Sequence, residues 1–87
     1  MATTSEVPIT HNAWTLVVDG SGGAVSGVMT NESGLKIKIQ ESTSLPTADS
    51  TVGHTLKDEP WTYSVNLTNI YAKVFGVELT AAITKSE

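Results

Sequence analysis

The stretch GLKIKIQES, residues 34–42, indicates the fold class of this chain. Apolar residues at positions 35, 37 and 39 alternate with polar residues at positions 36, 38 and 40. Successive side chains of a β-strand point to opposite faces, so this pattern is typical of an antiparallel strand with one face buried and the other in water.

The same alternation continues in both directions from this strand, over residues 13–18, 61–68, 70–75 and 77–84. No window has the three-and-four spacing of apolar residues that an amphipathic helix requires, and turn sequences separate the alternating segments. The chain therefore predicts an all-β fold, a small antiparallel β-sandwich or barrel, jelly-roll-like, of six to eight short strands. Trp14 and Trp61 fall in phase with the aliphatic faces of their strands, so we expect both in the core.

Two segments lack a strand pattern and set the domain boundaries. Residues 1–12 are polar and contain Pro8, which has no backbone N–H to donate, so we expect a flexible N-terminal arm followed by a single domain over residues 13–87. Residues 42–54 contain Pro46 and Gly53 and form the longest stretch without alternation, which predicts a surface loop.

Length and composition limit how the domain is stabilised. A chain of 87 residues builds only a thin core, and small domains of this kind usually add disulfides, metals or partner subunits. The chain has no Cys, so disulfides and thiolate zinc sites are excluded. Oligomerisation is therefore the most available additional support.

The charge distribution argues against two classes of partner. The net charge is −4, and the only strong cations are five scattered Lys residues. Binding to nucleic acid or to an anionic membrane needs clustered cations, so we expect neither partner. No run of about 18 apolar residues predicts a membrane span. The first residues lack the basic and apolar pattern of a signal peptide, which predicts synthesis in a cytoplasm without export by that route.

No residue pattern predicts catalysis, a cofactor or a metal. His11 and His54 are the only side chains that titrate near neutral pH, and Asp49 or Ser50 near His54 would be at most a fragment of a triad. The sequence DGSGG, residues 19–23, offers one carboxylate and no following helix, so we interpret it as a hairpin turn rather than a calcium or phosphate loop.

The strand over residues 70–75 places Tyr71, Lys73 and Phe75 on the face opposite to Ile70, Ala72 and Val74. If the aliphatic residues face the core, the two aromatic residues lie on the outer face, where they suggest a contact with a protein. We expect an oligomer interface at Tyr71, Lys73 and Phe75. The alternative is a strand that is buried on both faces.

Several short motifs resemble small β-structured virion proteins of tailed bacteriophages. They follow one another along most of the chain after residue 12: WTLV at 14–17, NESG at 31–34, KIKIQES at 36–42, GHTL at 53–56, IYAK at 70–73 and ITK at 83–85. The chain departs from the group at KDEPW, residues 57–61, where such proteins often carry a Gly in the turn.

This resemblance implies a structural role. Members of the group resemble capsid decoration proteins, head fibres or parts of tail appendages, and they are often homotrimers. We accordingly expect a non-enzymatic virion protein, assembled in the host cytoplasm, that binds itself and a major capsid protein or another virion protein. The arm would attach to the virion or to a neighbouring subunit through Val7, Pro8 and Ile9. The alternative is a module of a tail fibre or appendage that binds a carbohydrate or host surface, with a Trp or Tyr exposed in a shallow groove.

Overall fold

The computed structural model describes residues 4–31, 33–56 and 59–86, and over these ranges the chain forms eight strands and no helix. Residue 32 of the predicted turn at 31–34 and residues 57 and 58 of the predicted turn at 57–60 lie outside the described ranges. Also within the described part of the chain, no helix is long and apolar enough to cross a membrane. The strands are β1 (Thr4–Ile9), β2 (Thr15–Asp19), β3 (Ala24–Asn31), β4 (Ile37–Ser42), β5 (His54–Leu56), β6 (Trp61–Asn66), β7 (Asn69–Val74) and β8 (Ala81–Ser86).

The strands form two antiparallel four-stranded sheets, which confirms the predicted all-β, sandwich-like class. Sheet A has the order β1-β8-β3-β6, and sheet B has the order β2-β7-β4-β5. Each strand of the first half of the chain pairs with one of the second half: β1 with β8, β2 with β7, β3 with β6, and β4 with β5. The chain therefore folds like a long hairpin whose two arms stay paired while they alternate between the sheets.

The core lies between the two sheets and combines their inner faces. The inner positions predicted for β4 and β7 are confirmed, because Ile37, Ile39, Ile70, Ala72 and Val74 are all buried in the same cluster. From sheet A the same cluster includes Ile9, Met29, Tyr63, Val65, Ala81 and Ile83. Alternation therefore identifies which side chains fill the core wherever a strand is regular.

The N-terminal residues are not an arm, and the prediction of one is wrong for residues 4–9. These residues form β1, which pairs with β8 in continuous register from Thr4 with Ser86 to Ile9 with Ala81. Of the three residues predicted to attach the virion, Ile9 is fully buried in the core and Val7 packs against it. Pro8 is exposed and fits this place because β1 is an edge strand. The first three residues of the predicted arm lie outside the described ranges.

A β-bulge in β2 changes which of its side chains are buried. The register with β7 shifts between Leu16 and Val18, so Val17 and Val18 are both buried while Leu16 is 43% exposed. The bulge also makes the carbonyl oxygen of Val17 available to Lys85 of β8, whose Nζ donates a hydrogen bond to it. A bulge adds one residue to one strand, so strict alternation along β2 predicts the wrong faces beyond it.

The predicted hairpin turn after β2 is stabilised by hydrogen bonds to one glycine. The N–H of Gly20 donates a hydrogen bond to Asn69 Oδ1, and its carbonyl oxygen accepts from the N–H groups of Gly23 and Leu67. Asp19 accepts two hydrogen bonds from Ser21, and these hold the pKa of its carboxyl below the ordinary value. The turn between β2 and β3 is thereby joined to the turn between β6 and β7.

Gly20→Ala is expected to lower the free energy of unfolding by about 2 kcal/mol, because a methyl group has no room there. An added Cβ would lie 2.2 Å from the carbonyl oxygen of Thr68 and 2.8 Å from Val65 Cγ2. Urea denaturation followed by circular dichroism measures the change. Gly22→Ala is the matched control two residues away, since nothing lies within 4 Å of the Cβ it would add. Equal stability of the two variants would contradict the close approach of the two turns.

Candidate functional site

The two sheets leave an opening on one side of the sandwich, between the edge strands β5 and β6. Two adjoining hollows there, of about 380 and 420 Å³, share Ile39, His54 and Trp61 in their walls. We call this opening the side cleft. Leu56, Ile70 and Val52 complete its apolar lining. The core of the sandwich thus reaches solvent along this side.

Trp61 stands between the two hollows and is 40% exposed, so the prediction that it belongs to the core is wrong. It is in phase with Tyr63 and Val65, which are buried between the sheets. Trp61 is, however, the first residue of an edge strand, where sheet B ends in the three-residue strand β5 and supplies little cover. Phase predicts the face of a side chain, but the length of the opposite strand determines whether it is covered.

Five of the described residues that line the side cleft are polar, and two of these are acidic. Glu41 and Glu59 line it together with His54, and all three are exposed. Glu41 Oε2 accepts a hydrogen bond of 2.5 Å from Thr68 Oγ1, which joins the end of β4 to the turn before β7. The cleft therefore offers an aromatic ring, an apolar floor and carboxylate acceptors at its rim.

The two histidines lie in different places. His54 is at the side cleft, whereas His11 lines a separate, open hollow with Lys73, Phe75 and Glu78. Among the described residues, no hydrogen bond joins His54 to Asp49 or Ser50, and no three His, Cys, Asp or Glu side chains lie close enough to hold a metal ion.

The outer face of sheet B carries Tyr71, Lys73 and Phe75, as predicted, but part of this face is covered by other residues of the chain. Tyr71 pairs in register with Leu16 on one side and Gln40 on the other and is only 6% exposed. Its hydroxyl accepts a hydrogen bond from Asn69 Nδ2. The expectation of an exposed Tyr71 is therefore wrong, and the alternative of burial on both faces holds for this residue. Whether Lys73 and Phe75 contact a neighbouring subunit stays a prediction.

A small aromatic cluster lies on the same outer face of sheet B. Trp14 packs edge-to-face on Phe75, with ring centroids 5.8 Å apart. The ammonium groups of Lys38 and Lys73 lie 5.1 and 4.9 Å from the centroid of the same Phe75 ring, which is cation–π distance. Trp14 is buried as predicted, but within this cluster rather than in the core between the sheets.

The loop over residues 43–53 is fastened onto this aromatic cluster by its own backbone. Trp14 Nε1 donates to the carbonyl oxygen of Ser50, Lys38 Nζ to that of Thr51 and Lys73 Nζ to that of Ala48. Gly53 comes so close that an added Cβ would lie 3.3 Å from the Trp14 ring. The chain thus uses its long loop to cover part of the surface that we expected a second subunit to cover.

Comparison of this chain with protein-family models, with curated proteins and with solved structures finds no match in any of the three.

Proposed function

We propose that this chain is a non-enzymatic structural component of a bacteriophage virion, a capsid-surface decoration or head-fibre protein that assembles as a homotrimer. The observation that carries the proposal is the strand order, β1-β8-β3-β6 in one sheet and β2-β7-β4-β5 in the other. This strand order supports a jelly-roll arrangement, an architecture that viral capsid domains and lectins use.

The distribution of apolar side chains supports a role in protein contacts. Among the residues that the structure describes, four large apolar side chains are more than half exposed: Leu45, Val52, Leu67 and Leu79. A domain this small has a thin core, so large apolar side chains that it leaves exposed are expected to be covered by another protein. The sequence motifs that resemble tailed-phage virion proteins support a contact on a virus particle.

Immunogold labelling of purified particles of the phage that encodes the chain tests this proposal. An antibody raised against the recombinant domain is expected to label the head surface, with a uniform number of copies per particle by quantitative mass spectrometry. Particles free of the protein would overturn the proposal, and labelling of the tail alone would overturn the head location. Light scattering on a sizing column tests the trimer, which predicts a mass that is a multiple of three chain masses.

A second candidate is a module that binds carbohydrate, and Trp61 is the observation that favours it. Its ring is exposed at the side cleft beside Glu41 and Glu59, which provides a stacking surface with hydrogen-bond acceptors at its edge. Gln40 also lines the cleft.

Tryptophan fluorescence tests the second candidate with a panel of bacterial surface polysaccharides. A saturable shift that disappears in Trp61→Ala and persists in Trp14→Phe would assign carbohydrate binding to the side cleft. No shift with any member of the panel would count against it.

A further inference from the structure

The four edge strands of the two sheets differ in how they avoid pairing with other chains. Edge strands expose a row of backbone groups, and proteins protect them with proline, charges, bulges or short length. In the described residues, β1 carries Glu6 and Pro8, β2 carries a bulge and Asp19, and β5 has three residues. Each of these three edges has at least one protective feature.

The fourth edge strand, β6, has none of these features. Its sequence is WTYSVN, without proline or charge, and its register with β3 runs without a shift from Ala24 with Asn66 to Met29 with Trp61. No charged residue occurs anywhere from Pro60 to Ala72. Its outward side chains, Thr62, Ser64 and Asn66, are small or polar and exposed.

We propose that β6 pairs with β6 of a second copy of this chain, antiparallel and across a two-fold axis. The contact joins the two A sheets into one continuous sheet of eight strands. It deepens the proposed function by naming one surface through which the copies associate, and it does not depend on the location in a virion.

Charge favours a second copy as the occupant of this edge. Each chain carries a net charge of −4, so two copies repel one another over most of their surfaces. An uncharged, regular strand is the part of the surface where like copies approach at least electrostatic cost. A two-fold contact is self-complementary by symmetry, which suits a strand that has donors and acceptors along its whole length.

The pattern of side chains determines the register of this pairing. A shift by one residue would turn Tyr63 and Val65 of one copy away from the core side of the joined sheet, so only registers of matching phase are allowed. Two such registers pair all but one residue of β6. The register centred on Ser64 places Tyr63 opposite Val65 of the second copy and brings Trp61 toward Leu67 of the second copy.

Trp61 and Leu67 support the register centred on Ser64. They flank β6 at its two ends and are 40% and 64% exposed. Leu67 also has a φ of 62°, a left-handed conformation that costs energy for a residue other than Gly, Asn or Asp. The pairing covers both apolar side chains, which the single chain leaves in water.

A two-fold contact predicts an even number of copies. The smallest assembly is a dimer, and if trimers form through another face, the β6 contact joins two of them into a hexamer. Light scattering on a sizing column, repeated over a range of protein concentrations, is therefore expected to give twice or six times the chain mass.

Introducing a charge at Ser64 tests the register directly. In Ser64→Lys, two lysines lie opposite one another across the two-fold axis, and the dissociation constant is expected to rise roughly 5- to 10-fold. Ser64→Glu is expected to have the same effect for the same reason. An equimolar mixture of the two variants is expected to associate at least as tightly as the original chain, because each lysine then faces a glutamate.

Ser26→Lys is the matched control. Ser26 is exposed and pairs with Ser64 from the neighbouring strand β3. The substitution therefore introduces the same charge on the same face, one strand away from the edge. Its dissociation constant is expected to stay within about twofold of the original. Circular dichroism of all variants verifies that they are folded.

Three results would overturn the β6 pairing. These are a chain that is monomeric at every concentration, an assembly of three copies, and a mixture of the Lys and Glu variants that fails to associate. Each leaves the labelling of virions, and with it the proposed function, to be decided separately.

Discussion

Ile9→Ala is expected to lower the free energy of unfolding by about 3 kcal/mol, since it deletes a fully buried side chain and leaves a cavity. Ile9 is the last residue of β1 and lies in the core cluster opposite the inner face of sheet B. Urea denaturation of the purified chain, monitored by circular dichroism, measures the change. In a domain of this size, such a loss is a large part of the total stability.

Glu6→Gln is the matched control in the same strand. Glu6 is exposed and points to the other face of β1, so its substitution is expected to change the free energy of unfolding by less than about 0.5 kcal/mol. If residues 4–9 were a free arm, neither substitution would alter stability. Equal midpoints for Ile9→Ala and the original chain would therefore contradict the placement of β1 in sheet A.

Sequence analysis does not predict β1 because its partner strand is far away along the chain. It pairs with β8, at the opposite end of the chain, and its only clear apolar positions are Val7 and Ile9. Alternation predicts faces within a strand but not which strands are neighbours. Pro8, which suggested an arm, equally suits the edge position that β1 occupies.

Sequence alone predicts the inner faces of β4 and β7 and the class of the fold, because these strands are regular. It fails where a regular period is interrupted. The bulge in β2 buries Val17 beside Val18 and turns Leu16 outward. Val77 and Leu79 continue the alternation of β8 in the sequence, yet they precede the strand and are exposed. A period-two pattern therefore does not predict the residue at which backbone pairing starts.

The candidate site is predictable only in part for a similar reason. Tyr71, Lys73 and Phe75 were assigned to the correct face because a strand has only two faces. The cover over this face comes from residues 43–53, and its attachment uses backbone carbonyl groups. Since every residue has a carbonyl group, the loop sequence gives no indication of where it docks. The side cleft likewise results from the shortness of strand β5, and the sequence near Trp61 does not predict that length.

Trp14→Ala is expected to lower the free energy of unfolding by about 3 to 4 kcal/mol, since it removes a large buried ring and the cluster around it. Trp14 is 3% exposed, contacts Phe75 and donates to the carbonyl oxygen of Ser50. The loss has a local consequence as well, because the loop over residues 43–53 loses one of its three side-chain attachments. Urea denaturation measures the stability, and limited digestion with thermolysin measures the exposure of the loop.

Thermolysin cleaves before large apolar residues, and Val52 provides such a site within the loop. Cleavage there is expected to accelerate at least tenfold in Trp14→Ala under conditions where the domain remains folded, because an unfastened loop reaches the protease without global unfolding. Lys73→Met is expected to accelerate the same cleavage to a smaller extent, since it removes the attachment at Ala48 and the cation–π contact with Phe75 but keeps the attachments at Ser50 and Thr51.

Trp61→Ala is the control that separates the two tryptophans. Trp61 is 40% exposed, so its loss is expected to cost no more than about half as much stability as the loss of Trp14, and it leaves the loop fastened. The two variants remove the same ring and differ only in where it lies. If both accelerate cleavage of the loop equally, the attachment at Trp14 is not what holds the loop.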